Sequence, residues 1–355
     1  MDNRIMKTTI DGQKYIALCG LKIPYSTQRN GARCRLKIGP LSIPYHRSLT
    51  DDRLCLVLFG REYPLVRDRR GRHYAMRRKL TDETIEALLT EELEPLLGYR
   101  PNLKQPKTFN EKINYYKLHD HNPLITTCCD KYSLKQYASE KIGAQYVLPV
   151  LGAWTKADDI DFDSLPDRFV IKVNWSSGDN IIVRSKSQLE IPAVRKKLAS
   201  WMRPGQNGYY DMFNWGYKEM KPVIYAEPYI EQIDGQLYDY KLFFCDGEFR
   251  FFFIATDRYC KEGLTHTFFD PSMQPLPFTY GRLPNAKPLP VPPKHLDQMI
   301  MLGKKLAEPF HFVRVDFYET SDEQVFLGEM TFYPGGGTLP FHPPKWDAIL
   351  GSWMN

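Results

Sequence analysis

Two acidic residues near the C-terminal end, Asp316 and Glu329, lie on consecutive β-type runs joined by a short turn around Ser321-Asp-Glu-Gln324. The spacing predicts an antiparallel hairpin, which sets the side chains of its two strands opposite one another on one face. Two carboxylates so placed can hold a hard cation such as Mg²⁺, whose other positions are filled by phosphate oxygens and water. Arg314, two residues before Asp316, shares its strand face and supplies a positive charge for the same phosphates. Taken alone, the trio fits a surface ion pair equally well.

The surrounding sequence adds weight to the phosphate reading. Phe169-Val-Ile-Lys-Val173 carries Lys172 inside an apolar run and leads into Asn174-Trp-Ser-Ser-Gly-Asp-Asn180. Ser176, Ser177 and Gly178 of that turn can aim backbone N–H groups and hydroxyls at phosphate oxygens, with Lys172 as a point charge on the same group. The pattern also fits a plain hairpin whose edge-strand lysine limits aggregation. A third run, Val223-Ile-Tyr-Ala-Glu-Pro-Tyr-Ile-Glu231, ends in polar and proline residues. Beyond Glu227, the backbone at Tyr229 and Ile230 can offer N–H and C=O groups to an adenine edge, and the carboxylate can bond an amino group or ribose hydroxyls. Asp239 and Lys241 share one strand face, an acid for a sugar and a base for a phosphate.

These residues need strands to carry them. The clearest are Arg168 to Val173, Val223 to Glu227, Tyr240 to Phe244, Phe249 to Ala255, Phe312 to Phe317 and Val325 to Met330. One amphipathic helix, with Leu296, Met299, Ile300, Leu302 and Leu306 at helical spacing, precedes the last two strands. Upstream, a helix is expected after Thr81, an N-cap followed by Asp82 and Glu83. A second covers Asn110 to Leu118, and a third starts near Asp130 and stops before Gly143. Residues 1–80 read as β-rich and irregular, with Leu21-Lys-Ile-Pro-Tyr25 recurring as Leu41-Ser-Ile-Pro-Tyr45 to make hairpins, and Leu54 to Phe59 as a buried strand.

Composition narrows the class. At 43% hydrophobic and 25% charged residues, the 355-residue chain has the balance of an ordinary globular protein rather than a disordered or fibrous one. Seven cysteines without a C-x-x-C pair form neither a disulfide framework nor a zinc set. The stretch from Arg67 to Lys79 is basic and can attract phosphate or a membrane face; the plainer reading is a solvated loop and helix flank, and no recognition helix or stacking motif points to nucleic acid. No apolar h-region follows Met1 and no run approaches a membrane span, so a cytoplasmic protein is expected, able to touch the inner face of a membrane.

In order, Lys131, Lys172 with its loop, Glu227, Lys241, Asp316 and Glu329 follow one another as the nucleotide residues do in ATP-grasp enzymes. More closely, the chain resembles the TupA-like ATP-grasp family, named for teichuronopeptide synthesis and met among surface-polysaccharide genes. The resemblance is carried by Thr108-Phe-Asn-Glu-Lys-Ile113, Asp130-Lys-Tyr132 with Ile142-Gly143, Phe169-Val-Ile-Lys172, Asp239-Tyr-Lys241, Phe312-Val-Arg-Val-Asp-Phe-Tyr318, Gly328-Glu-Met-Thr-Phe-Tyr-Pro-Gly335 and Leu350-Gly-Ser-Trp353, over residues 95–355. It implies an α+β fold of the ATP-grasp type, with two α+β subdomains clasping ATP between antiparallel sheets and an extra β-rich N-terminal region. The implied division is 1–80, a helical lead-in at 81–145, a small subdomain at 146–221 and a large subdomain at 222–355. It further implies Mg²⁺ and ATP as cofactors, with Lys131 and Lys172 on the α- and β-phosphates, Glu227 on adenine, Asp239 on ribose, Lys241 and Arg314 near the γ-phosphate, and Asp316 and Glu329 on magnesium.

Two departures stand out. Many ATP-grasp enzymes carry an Asn two residues after the metal-binding Glu, and here that place is Thr331, a weaker oxygen ligand. The phosphate loop has only Gly178, with Trp175, Ser176 and Asp179 where related loops are richer in glycine, and Asp179 repels a triphosphate unless it points away. By resemblance the reaction is carboxylate-amine ligation through an acyl phosphate, with a uronic acid or other carboxylate of a capsule or cell-surface polysaccharide precursor as acceptor and an amine as donor. Arg258, His266, Gly335, Gly336, Gly337 and His342 are candidates to face those substrates, although a loop histidine often binds nothing. Two other readings stay open: a kinase acting on a sugar hydroxyl, and a glycan-binding or scaffold protein on a degenerate ATP-grasp fold.

Overall fold

The computed structural model describes residues 6–10, 13–18, 21–24, 26–30, 33–38, 41–47, 54–58, 61–65, 77–176, 178–230, 238–256, 263–320 and 323–354. It separates into two compact units, Met1–Arg72 and His73–Asn355.

The first unit is all β. Strands β1 (Met6–Ile10), β2 (Gln13–Leu18) and β3 (Leu21–Pro24) form one antiparallel sheet. β4 (Ser26–Asn30), β5 (Arg33–Ile38), β6 (Leu41–Arg47), β7 (Leu54–Leu58) and β8 (Arg61–Leu65) form a second, in sequential order. The two copies of the Leu-x-Ile-Pro-Tyr repeat therefore begin strands of different sheets, β3 and β6.

The second unit opens with helices α1 (Asp82–Leu97), α2 (Phe109–His119), α3 (Pro123–Cys129) and α4 (Ser133–Ile142). Thr81 caps α1 as its sequence predicts, and Thr108 with Glu111 forms a reciprocal capping box on α2. The third expected helix is α4, which Asp130 begins by accepting from the backbone N–H groups of Tyr132 and Ser133 and which ends before Gly143; the short α3, started by Asn122 and Pro123, was not expected.

A four-stranded antiparallel sheet follows, in the order β11 (Asn180–Val183), β10 (Phe169–Val173), β12 (Ile224–Pro228), β9 (Gly152–Trp154). Helices α5 (Ile191–Trp201) and α6 (Gly208–Met212) lie between β11 and β12 in the chain. The expected division at 221/222 falls before β12, yet β12 pairs along its length with β10 and completes this first sheet. The reason is geometric: an antiparallel partner for an apolar central strand buries both of its edges. Helix α5 was not among the expected elements, although Ile191, Val194, Leu198 and Trp201 recur at helical spacing along it.

The second sheet has five antiparallel strands, β15 (Thr265–Phe269), β14 (Glu248–Thr256), β13 (Asp239–Cys245), β17 (Phe312–Glu319) and β18 (Val325–Thr331), while β16 (Thr279–Tyr280) pairs with β19 (Phe341–His342). Leu242, Phe244, Val313, Val315 and Phe317 turn one face of this sheet to the core. Helix α7 (Leu296–Ala307) covers that face with Met299, Leu302 and Leu306, close enough that Gly303 lies against the Phe244 ring. The opposite face carries the polar residues.

The C-terminal helix α8 (Lys345–Gly351) locks onto α2. Buried Asp347 accepts from the Asn110 N–H at 2.9 Å, the Asn110 amide at 3.0 Å and the Tyr99 hydroxyl at 2.8 Å. Among the described residues no helix is long and apolar enough to cross a membrane. Gly351 has no room for a side chain, since a Cβ there would stand 2.2 Å from the Lys107 carbonyl oxygen and 2.6 Å from the Thr108 carbonyl carbon, both backbone. Gly351→Ala is expected to destabilise this unit by about 2 kcal/mol or more, read as a lower denaturant midpoint at unchanged slope.

Candidate functional site

Register builds the centre of the site. Lys241 on β13 is directly opposite Asp316 on β17, and Asp316 is directly opposite Glu329 on β18, so the three side chains form one row across three strands. A bulge between Asp316 and Phe317 re-aims the end of this row. Arg314 spans it, with Nε 2.7 Å from Asp316 Oδ1, Nη2 2.8 Å from Asp316 Oδ2, and Nη2 3.2 Å from Glu329 Oε1. Lys241 is ion-paired with Asp316 and 3.7 Å from Asp239, which lies one tooth along the same strand face.

The first sheet faces this row with its own cations. Lys131, just before α4, reaches Glu329 Oε2 at 3.0 Å and donates to the Ser176 carbonyl at 2.9 Å. Lys172 on β10 is ion-paired with Glu227 on β12, its diagonal neighbour across the strands. Lys131, Lys172, Ser176, Gly178, Asp179, Asp239, Lys241, Tyr318 and Glu329 line one polar cleft of about 100 Å³. Asp179 is thus part of the cleft's lining.

Burial sets the protonation states. Burial works to raise the Glu227 and Glu329 carboxyls, but Lys172 and Lys135 hold Glu227 below the usual carboxylate range, and Lys131, Lys241 and Arg314 hold Glu329 well below it. Burial also works to strip Arg314 of its proton, and the neighbouring Asp316 overcomes this and holds the guanidinium charged. Glu227, Glu329 and Arg314 are thus ionised at neutral pH.

Sequence reading missed two contributors. Lys135, one helical turn after Lys131 on α4, is a second cation on Glu227 at 3.1 Å, and the i, i+4 spacing was its available signal. Asn174 is fully buried and ties three segments together: its amide donates to Asp130 and to the Lys221 carbonyl, each at 2.9 Å, and its oxygen accepts from the Val223 N–H. Trp175, out of place in a phosphate loop by type, buries its ring and donates its indole N–H to the Trp201 carbonyl at 3.1 Å. It anchors the loop, leaving Ser176 and left-handed Gly178 to turn it.

The remaining sequence candidates divide. Thr331 lies beside the row, 2.9 Å from Arg314 Nη2 and 3.3 Å from Glu329 Oε1. Tyr229 stacks on the Arg168 guanidinium at 4.4 Å, and Ile230 follows it half-buried at the end of β12. Ser177, Arg258 and residues 67–76 of the basic stretch fall outside the described residues. Arg77, expected in a solvated patch, is buried instead: it donates to the Asp211 carbonyl at 2.6 Å, pairs with Glu92 and stacks on Phe213 at 4.3 Å. An arginine can bury its planar head only where such partners exist, and α1 with the C-terminal end of α6 provides them.

A second, larger cavity of about 770 Å³ shares Arg314 with the site. Its walls include Phe243, Phe253 and Tyr280, with His266, Arg282 and His342, and Gly335 from the glycine turn; no acidic side chain is among its described lining residues. His266 packs on the Phe253 ring at 4.4 Å, and Arg314 lies over the same ring at 5.9 Å.

Residues 111–355 match the family model described as TupA-like ATPgrasp. A search of curated protein sequences finds no match. Similar solved structures include D-alanine--D-alanine ligase from Bacillus anthracis complexed with ATP, at 15% identity, 58% of this chain, 55% of that chain and a TM-score of 0.37. Another is N5-carboxyaminoimidazole synthetase from Staphylococcus aureus complexed with ADP, at 13% identity, 62% and 50% coverage and a TM-score of 0.37. A third is L-amino acid ligase from Bacillus licheniformis, at 11% identity, 64% and 47% coverage and a TM-score of 0.38. The matched region spans about half the length of each of these proteins. With well over half of its length matched by one family model, the chain belongs to the TupA-like ATPgrasp family.

Proposed function

We propose that this chain is an ADP-forming carboxylate-amine ligase that works through an acyl phosphate. The observation that carries the reading is the row Lys241, Asp316, Glu329, clamped by Arg314 and faced by Lys131 and Lys172. Each of these cations is held by a carboxylate and has the donors to take a phosphate oxygen instead. Each carboxylate so released offers the hard oxygen that Mg²⁺ prefers. Asp316 and Glu329 are the residues that would hold the ion, with the Thr331 hydroxyl as a weaker third oxygen. Among the described residues no group of three His, Cys, Asp or Glu could hold a metal ion. Bound there, Mg²⁺ supplies neutralisation of the phosphate charge.

In this reading Lys131 and Lys172 bind the α- and β-phosphates, and Ser176, Ser177 and Gly178 close over them. Glu227 with the backbone of Tyr229 and Ile230 holds adenine, and Asp239 holds ribose. Lys241 and Arg314 hold oxygens of the γ-phosphoryl group. A carboxylate oxygen of the acceptor forms a bond to the γ-phosphorus as the bond to the bridging oxygen of ADP breaks. Arg314 borders the larger cavity and bonds Asp316 and Glu329 of the row, so one guanidinium can hold the acceptor against the phosphorus. The amine then forms the C–N bond, phosphate leaves and the amine loses its proton. Position and charge do this work, and no protein nucleophile is required.

The larger cavity supports an anionic acceptor, since Arg282, Arg314, His266 and His342 border it and no acidic side chain is among its described lining residues. Its aromatic rings suit the apolar face of a sugar, which supports a uronic acid of a cell-surface polysaccharide precursor as acceptor.

Mg-ATP is expected to raise the Tm of the wild-type chain; no shift over a wide nucleotide range would favour a binding protein on a degenerate fold. Asp316→Asn and Glu329→Gln are expected to abolish ADP formation with the circular dichroism spectrum unchanged. Wild-type turnover in both variants would refute the metal assignment. In a screen of carboxylate and amine pairs, full ADP release should require both partners, whereas release with one acceptor alone would mark a kinase.

A further inference from the structure

Lys117 is a buried lysine outside the nucleotide cleft, and among the described residues no carboxylate is ion-paired with it. It is the last of three residues, Asn110, Asn114 and Lys117, that α2 sets in one line at i, i+4 and i+7. Each donates to a carbonyl of segment 336–339: Lys117 Nζ to Gly336 at 2.6 Å, the Asn114 amide to Gly337 at 2.9 Å, and the Asn110 amide to Leu339 at 3.0 Å. Lys117 is steadied in turn by Asn114 Oδ1 at 2.8 Å.

The segment so held is unusual. Gly335, Gly336 and Gly337 have φ of 57°, 63° and 60°, three successive left-handed residues that side chains would resist. A Cβ on Gly336 would stand 2.1 Å from Met212 Sδ, and one on Gly337 would stand 2.5 Å from the Asn114 amide nitrogen. Glycine tolerates this shape but does not choose it over others, so something else must. Gly335, Thr338 and Leu339 of the same segment form part of the wall of the larger cavity that Arg314 borders.

A buried ammonium without a counter-charge is costly, and an apolar side chain of similar length would fill the space without that cost. Burial lowers the Lys117 pKa to about 7, with Glu92 pulling it up and Arg77 pushing it down. The amine thus changes charge in the physiological range while touching a carbonyl that shapes a ligand cavity.

We propose that Lys117 is a positioning residue: its ammonium, with Asn114 and Asn110, holds the three-glycine turn in its left-handed form, and loss of its proton loosens the cavity wall. The tether stands on geometry alone, while its consequence for the acceptor rests on the reading of the cavity given above.

Two effects of pH then run in opposite directions. Lys117 gives up its proton near pH 7 in the folded chain and only in the usual lysine range when unfolded. Between those values the unfolded state binds more protons, so this group makes global stability rise with pH. Over the same range the charge-assisted hydrogen bond to Gly336 weakens, and protection of the turn falls.

Hydrogen exchange on the full chain, without substrates and corrected for intrinsic rates, reads both. Peptides covering 333–341 are expected to lose about tenfold in protection between pH 6 and 8.5, while peptides covering 312–319 hold theirs. In Lys117→Met the turn should be weakly protected at both pH values, with a Tm equal to or above that of the wild type. Turn protection that is independent of pH in the wild type would overturn the proposal. So would a variant that loses protection in every peptide with a lower Tm, since that would mark ordinary core packing. Should the variant fail to fold, the wild-type pH series decides alone. None of these readouts uses the ligase reaction, so a failed ligase reading would leave the tether standing and a failed tether would leave the ligase reading untouched.

Discussion

Charges withdrawn from water must be paired, and the second unit of this chain is arranged around that requirement. Asp316 is almost completely buried, Glu227 and Asp239 nearly so, and each lies against a lysine or arginine. Such pairs add little to stability compared with an apolar core of the same shape, because desolvation consumes most of the Coulomb attraction. Their geometry is enforced from behind. Leu242, Phe244, Val313, Val315 and Phe317 fill the opposite face of the five-stranded sheet beneath α7, and a slip of one residue would exchange that face for the charged one. The apolar face thus fixes the register that lines up Lys241, Asp316 and Glu329.

This dependence explains what could be read from the sequence. A strand has a period of two, so Arg314 and Asp316, or Asp239 and Lys241, share a face wherever the run is a strand at all, whereas Glu329 stands opposite Asp316 only through the bulge between Asp316 and Phe317, which no residue pattern announced. Lys172 was legible because a charge inside an apolar run demands a partner. The identity of that partner was less so. Glu227 was expected to meet a nucleoside, and in the folded chain it meets Lys172 and Lys135, which takes a pairing between strands more than fifty residues apart and an approach from α4. Asn174 and Trp175 were read as members of a phosphate loop, yet both face inward as struts, since neither an amide nor an indole announces from sequence which backbone groups it will satisfy. Where β12 belongs was equally hidden, because proximity in sequence to Asp239 said nothing of its hydrogen bonding to β10.

Arg314 is where the two spaces of the site meet. Its guanidinium bonds both carboxylates of the row, lies over the Phe253 ring and borders the larger cavity. A planar group with fixed donor directions can serve two neighbours at once only if it is prevented from rotating, and its bidentate bond to Asp316 provides that restraint. A lysine in this place would keep the charge and lose the orientation. The aromatic wall has a comparable effect, since a ring on one side of the guanidinium limits the water that would otherwise screen it.

The two ends of the site are held by different physics, and this has a consequence for how they can change. The charged cleft depends on ion pairs, Lys172 with Glu227 inside one sheet, Lys241 and Arg314 with Asp316 inside the other, and Lys131 reaching Glu329 from the turn before α4, so altering a member leaves a buried charge without its partner at a cost of about 3–5 kcal/mol. The acceptor end depends on backbone carbonyls tied to Asn110, Asn114 and Lys117, and on rings that contact whatever fills the cavity by shape. Backbone tethers fix a surface without dictating every side chain that decorates it, so Arg282 can vary with little disturbance to the turn, whereas the Thr338 hydroxyl, 2.9 Å from the Gly335 carbonyl, belongs to it. Arg314 is the element that both ends require. Under the proposed function, a chain built in this way keeps one phosphate chemistry while its acceptor preference drifts, because the substitutions that reshape the cavity need not touch the charged row.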